Sequence, residues 1–283
     1  MKRISIYCLL VFCLILTASA QKTKELFILQ TSDTHSRIEP IDPHAADEYA
    51  GMGGAVRRAT FVKKCRAKHP DLLLFDCGDI SQGTPYYNFY KGEVEVKMMN
   101  LMGYDAMTIG NHEFDCGLEN MARLFRMANF PVVCANYDFT GTVLEGLVKP
   151  YVLLKRSGLK IGVFGLSPQM DGLVQADKCE GIGFKDPIAV TREVVATLRD
   201  KERCDVVICL SHLGLHGGEE SDSDEKLAAA TAGIDAILGG HSHTFMSAPT
   251  FYINTEYMGV PVLHTGKNGI YVGELKMTLT DEK

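Results

Sequence analysis

The sequence predicts an α/β domain. Short apolar runs alternate with longer amphipathic stretches along most of the chain, the signature of strands interleaved with helices. Several of the runs end in clusters of Asp, Asn, Gly, Ser and His, and ligand sites of α/β sheets gather at the carboxyl ends of strands. Bulk agrees: 283 residues, 46% hydrophobic and 23% charged, suffice for one core of ordinary density and set aside disorder and coiled coil.

The chain begins with Lys2 and Arg3, an apolar run from Ile4 to Leu16, and Ala18-Ser19-Ala20. That is the charged start, hydrophobic stretch and small-residue exit of a secretory signal, and the run is short of the roughly 18 residues that span a bilayer. Residues 1–20 are therefore expected to be a cleaved signal peptide and residues 21–283 the folded domain, periplasmic or secreted, with no stable membrane span. Within it, buried strands are expected at Leu26–Thr31, Leu72–Phe75, Ala106–Ile109, Pro131–Cys134, Lys160–Leu166, Val206–Leu210 and Ile234–Leu238. Helices are expected at Gly54–Lys68, Val94–Met102, Leu118–Ala128, Pro187–Lys201 and Glu225–Ala232, and alternating sheet beyond Tyr252. No repeat, charge block or linker divides the chain.

A formal net charge of −6 argues against a nucleic-acid polymer as partner. Of nine cysteines, Cys8 and Cys13 lie in the signal, and the odd remainder argues against a simple disulfide framework. No CxxC pair is present, so a thiolate zinc site is not expected, and the thiols read as mostly buried and free.

Five strand-like runs carry the chemistry. They lead into Asp33-Thr34-His35, Gly78-Asp79, Gly110-Asn111-His112-Glu113, Ser211-His212 and Gly240-His241-Ser242-His243. Singly, Asp33-x-His35 and Gly78-Asp79 are ordinary turns with an incidental histidine or aspartate. The Gly-Asn-His-Glu cluster is more specific, and paired histidines at a strand end more so. Together they supply seven oxygen and nitrogen donors: Asp33, His35, Asp79, Asn111, His212, His241 and His243. One cation would not use them all, whereas two divalent cations sharing a carboxylate would. The mixed donors suit zinc, manganese, iron or cobalt better than calcium, with magnesium also in scope. Two cations about 3.5–4 Å apart suit hydrolysis at phosphorus, where anionic oxygens must be neutralised and a hydroxide supplied. His44, His69 and His216 read as solvated, His264 as an ordinary strand-end residue, and the acidic stretch Glu219–Glu225 as solvated surface.

The order DTH, GDISQGTP, GNHEFDCG, SHLG, GHSHT resembles the calcineurin-like metallophosphoesterases, and most of all the catalytic domain of the 5′-nucleotidase subgroup. The similarity runs from about Leu26 to Leu279. The resemblance implies a four-layer α/β/β/α sandwich of two mixed sheets flanked by helices. It implies one metal held by Asp33, His35 and His243, a second held by Asn111, His212 and His241, and Asp79 bridging them. His112 would be the catalytic histidine and Asp115 its orienting partner. Glu113, read from the residues themselves, is expected to be structural rather than catalytic.

The expected function is thus hydrolysis of phosphate monoesters, nucleoside 5′-monophosphates foremost, by attack of a metal-bridging hydroxide. Nothing in the chain matches the aromatic and arginine residues with which the subgroup's C-terminal domain holds the nucleotide, so that domain is expected to be absent. Alternatives are a nucleotide-sugar or 2′,3′-cyclic nucleotide phosphodiesterase, a catalytic subunit that takes its specificity from a separate C-terminal-domain protein, and a non-catalytic binding subunit.

Overall fold

The computed structural model describes residues 23–218 and 221–280. The expected signal peptide, residues 1–20, and Glu219 and Glu220 of the acidic stretch lie outside the described residues.

Strand β1 (Thr23–Thr31) is followed by α1 (Ala55–Lys68), β2 (Leu73–Asp76), α2 (Pro85–Tyr90), α3 (Glu93–Met102), β3 (Ala106–Met107), α4 (Gly117–Met127) and β4 (Val132–Val133). Short strands β5 (Tyr137–Asp138) and β6 (Val148–Lys149) precede the hairpin of β7 (Tyr151–Arg156) and β8 (Leu159–Leu166). Then come β9 (Gly183–Phe184), α5 (Pro187–Ala196), β10 (Val206–Ser211), α6 (Asp224–Ala230), β11 (Ala236–Gly239), β12 (Thr250–Ile253), β13 (Gly259–His264) and β14 (Gly273–Thr280).

The strands form two six-stranded mixed sheets, ordered β14-β1-β2-β3-β4-β6 and β12-β13-β11-β10-β8-β7, and a small antiparallel pair β5-β9. In the first sheet β1, β2, β3, β4 and β6 run parallel and β14 lies antiparallel at the edge. In the second, β8, β10, β11 and β13 run parallel between the antiparallel edges β7 and β12.

Period-two alternation explains why the parallel strands read as unbroken apolar runs. In β2, Leu73 and Phe75 face the second sheet while Leu74 faces α1, α3 and α4. In β10, Val206, Ile208 and Leu210 face the first sheet while Val207 and Cys209 face α5 and α6. Each sheet is covered on both sides, so neither face of its central strands needs polar residues. Helix α1 buries Ala55, Arg58, Val62 and Cys65, a spacing of three and four that is one face of a helix. The result is the expected four-layer sandwich, helices–sheet–sheet–helices, with cores between each pair of layers.

Local chemistry sets the helix ends. Helix α3 stops at Gly103, which is left-handed and returns its N–H to Met99 and Asn100 carbonyls. Helix α5 starts at Pro187 with the Asp186 carboxylate accepting the Ala189 N–H, and the Ser223 hydroxyl caps α6 by accepting from Lys226. The expected helix to Lys201 instead widens into a π-turn over Thr197–Lys201. The seven described cysteines are free, as expected, and Cys65, Cys77, Cys134, Cys204 and Cys209 are buried.

Candidate metal centre

Five loops leave the carboxyl ends of β1, β2, β3, β10 and β11 on one edge of the sandwich, and they carry the seven candidate donors. Backbone bonds tie the loops together. The Asp33, His35 and Ser36 amides donate to the Gly78, Asp79 and Ile80 carbonyls at 2.9, 3.0 and 2.9 Å. The Asp33 carboxylate accepts the His241 amide at 2.9 Å, the Asp79 carboxylate accepts the His112 amide at 2.8 Å, and His212 Nδ1 meets the Cys77 carbonyl at 2.6 Å.

The outcome is two donor triads. Ligand atoms of Asp33, His35 and His243 lie within 4.8 Å of one another, as do those of Asp79, His212 and His241. Asp33 and His212 are fully buried, and Asp79 nearly so. Asn111 stands beside Asp79, 7% exposed, with its carbonyl oxygen unpartnered. His112 closes the group: its ring centroid is 5.4 Å from that of His35, and its Nδ1 is 3.0 Å from Asp115 Oδ2. All nine residues singled out from the sequence thus stand on one edge of the fold.

This backbone is strained. Asp33, His35, Asp79, His241 and His243 all have positive φ, from 44° at His35 to 71° at His241. Such a conformation is uncommon for residues other than glycine, and its clustering marks a site where geometry outranks stability. Glycine is required next to the donors: a Cβ on Gly110 would lie 2.1 Å from Asp79 Oδ1, and one on Gly78 2.5 Å from the Gly110 nitrogen.

The electrostatics fit cations. Burial pushes the Asp33 carboxyl up to about 7 against the pull of His212. Burial opposes ionisation of Asp79 too, but the neighbouring His212 outweighs it and holds that carboxyl well below its usual range. Burial likewise disfavours a charged His212, yet Asp79 and Asp33 raise it to about 10. The two carboxylates therefore create a field that favours positive charge between the loops. Burial lowers His35 and His241 to about 4 and also lowers His243, keeping three imidazoles neutral with lone pairs free. His35 Nε2 and His243 Nε2 face each other at 2.9 Å. His212 Nε2 is 3.1 Å from Asp79 Oδ2 but out of line for a hydrogen bond. Two neutral imidazole nitrogens facing each other, as at His35 and His243, are what a divalent cation resolves.

A model of the family described as calcineurin-like phosphoesterase matches residues 27–245. The chain belongs to the calcineurin-like phosphoesterase family. The family's divalent metals agree with the two triads. The chain is 33% identical to the snake venom 5′-nucleotidase of Crotalus adamanteus over 96% of its own length and 48% of the relative's. It is 31% identical to the 5′-nucleotidase of Rattus norvegicus over 92% of its length and 47% of the relative's. Among solved structures, a 5′-nucleotidase precursor from Thermus thermophilus superposes with a TM-score of 0.80 at 33% identity, covering 89% of this chain and 51% of that one. The chain thus spans about half the length of the curated relatives it matches. Among the described residues no helix is long and apolar enough to cross a membrane.

In this family member two supports lie behind the donors. Glu113, 2% exposed, turns its carboxylate to four backbone amides, those of Asp79, Ile80, Ser81 and Gly110, at 2.9, 2.9, 3.4 and 2.6 Å. It fixes the Asp79 loop against the Asn111 loop, the structural role read from the sequence. The second support was not legible. Asp224, read as part of a solvated acidic stretch, is fully buried. Its carboxylate accepts from the Ser211 hydroxyl and from His264 Nε2, the latter at 2.7 Å. It thereby ties the end of β10, which precedes His212, to the end of β13. The only signal was Ser223-Asp224 opening an apolar helical pattern, which is a capping signature rather than a burial one. His264 is indeed an internal residue, while His216 and His69 lie at the surface against Glu225 and Phe27.

Proposed function

We propose that residues 21–283 are the catalytic domain of an exported phosphoesterase that releases phosphate from monoesters, nucleoside 5′-monophosphates foremost. The observation that carries the reading is the convergence of two donor triads beneath His112. The relatives named 5′-nucleotidase support the choice of substrate. The leader-like residues 1–20 support export.

Asp33, His35 and His243 would hold one divalent cation; His212, His241 and Asn111 would hold a second, with Asp79 between them. When bound, the pair neutralises phosphoryl oxygens and makes water nucleophilic near neutral pH. The protein's own part begins with Asp115, which takes the Nδ1–H of His112 and fixes its tautomer and orientation. The hydrogen bond to Asp115, against burial, raises the His112 pKa. That shift favours the doubly protonated ring, whose Nε2–H can hydrogen-bond the leaving oxygen and hand it a proton, leaving the neutral Nδ1–H tautomer on Asp115. Glu113 and the Asp224–His264 pair hold the loops so that these groups need not reorganise as charge develops.

The test is metal stoichiometry measured together with phosphate release from AMP, UDP-glucose, 2′,3′-cyclic AMP and bis-p-nitrophenyl phosphate. Two transition metals or magnesium per chain and fastest turnover of AMP are expected. Faster turnover of either diester or of UDP-glucose would replace the monoesterase reading, and metal-loaded protein inert on all four would overturn the enzyme reading.

A further inference from the structure

The two large sheets end in four edge strands, and three of them are guarded. Strand β14 carries Glu274 and Lys276, β7 carries Lys155 and Arg156, and β6 is two residues long with Lys149 as one of them. Charge and brevity keep a strand edge from pairing with another chain. Strand β12, Thr-Phe-Tyr-Ile, carries no charge and no proline, and it exposes Phe251 and Ile253.

Its backbone is oriented to pair. In the antiparallel ladder with β13, Phe251 stands opposite Pro261 and Ile253 opposite Gly259. Just beyond, the Asn254 amide donates to the Met258 carbonyl at 2.9 Å, which makes these two a hydrogen-bonded pair. Bonded and non-bonded pairs alternate along such a ladder. Tyr252 and Thr250 therefore bond to β13, and the N–H and C=O groups of Phe251 and Ile253 point out of the sheet edge. Pro261, which has no N–H, stands where β13 donates nothing to β12.

The side chains suit a partner too. Tyr252 packs into the core beneath α6, so Phe251 and Ile253 share the opposite face. With Tyr257 and Met258 at the hairpin tip they are 58 to 87% exposed. Large apolar side chains cover about 150–250 Å² each, which makes this patch on the order of 500 Å². Between Pro249 and Pro261 the only charged residue is Glu256, so two such patches meet with little repulsion despite the net charge of −6.

We propose that two copies of this chain join through β12, antiparallel about a two-fold axis at Tyr252, into one continuous sheet. In that arrangement Phe251 faces Ile253 of the partner subunit, and Ile253 faces Phe251 of the partner subunit. Every outward N–H and C=O of the two residues is satisfied, and two aromatic–β-branched cross-strand pairs form, a favourable combination. The outward residues flank Tyr252, so the strand complements itself, which is what singles out a second copy as the occupant. About 1,000 Å² over both copies is the lower bound of a specific interface, so dissociation at about 10–100 μM is expected. The proposal is independent of the reading of the metal centre.

Sedimentation equilibrium of metal-loaded protein from about 2 to 500 μM tests it, and a single monomer–dimer equilibrium is expected. Ile253→Lys, at an exposed position, should raise the dissociation constant about tenfold or more. Lys276→Ala on the β14 edge should leave it within about twofold. Tyr252→Cys sets two thiols across the axis, where facing Cα atoms are about 4.5 Å apart and within disulfide range. Mild oxidation should cross-link that variant beyond the parent. The Ile253→Lys comparison decides the matter even if Tyr252→Cys does not fold. A monomer throughout, association that grows past the dimer, undiminished association in Ile253→Lys, equal weakening by Lys276→Ala, or a folded Tyr252→Cys protein that does not cross-link would each overturn the proposal.

Discussion

Glu113→Gln is nearly isosteric, yet it should cripple the centre without touching a donor. The carboxylate receives four amides, Asp79 and Gly110 on one oxygen and Ile80 and Ser81 on the other. Glutamine keeps one of those oxygens and sets an NH₂ group against the two amides on the other side. Two buried donors are left unsatisfied, each at about 1–3 kcal/mol, which after partial relaxation gives a loss of about 3 kcal/mol. For a domain of this size each kcal/mol moves Tm by about 2–4 °C, so a fall of about 6–12 °C is expected. The displaced amides belong to the Asp79 and Asn111 loops, and a shift of about 1 Å there costs on the order of a hundredfold in turnover. Burial and the neighbouring Asp79 push Glu113 up to about 7, whereas four N–H donors call for the ionised form. Measurements at pH 8 therefore compare glutamine with a carboxylate rather than with its neutral acid. The assays are thermal unfolding and phosphate release on the same metal-loaded samples. A Tm within about 2 °C of the parent together with unchanged kcat would refute the reasoning, because it would mean that the two loops hold their register without this clamp.

Other perturbations separate the remaining roles. His112→Ala should lower kcat by about 10²–10⁴ while metal content stays at two per chain, checked by elemental analysis; loss of metal would make His112 a ligand instead. Removing metal with a chelator should abolish phosphate release and lower Tm, and reloading should restore both; at a hundredfold excess over Kd each site contributes about 2.7 kcal/mol. Asp224→Ala leaves His264 and Ser211 buried without their acceptor and should destabilise the fold by about 3–5 kcal/mol in denaturant titration, a loss within error being the contrary result.

How much of this was legible depends on whether a residue's neighbours are local in sequence. The parallel strands were, because runs such as Val206–Leu210 are buried on both faces and tolerate no polar residue. The helices were, through spacings such as Ala55, Arg58, Val62 and Cys65. The gathering of the seven candidate donors on one edge was, because each follows a strand and histidine has little reason to recur there. The second sheet was not: nothing in the periodicity of β10 says that its inner face meets β2 rather than a helix, and the family resemblance supplied that layer. Short strands such as β6 and β9, two residues each, offer no period to read. Asp224 was misread because its partners, Ser211 and His264, stand 13 and 40 residues away.

The same distinction explains why strain collects where it does. A strand end can present its next side chain only along the strand or across it, and neither direction points at a shared centre. Turning the chain left-handed at Asp33, His35, Asp79, His241 and His243 redirects each side chain toward the others, at about 1–3 kcal/mol apiece. Packing between the sheets holds the strand ends, Glu113 and Asp224 hold the loops, and glycine at 78 and 110 clears the space. The attraction of His212 for Asp79 and the amides held by Asp33 and Asp79 offset part of the strain, while the neutral His35, His241 and His243 offset little of it. The arrangement is stable in proportion to what it binds. For that reason the metal-dependent part of the Tm, more than the number of donors, measures how much of this fold exists for its site.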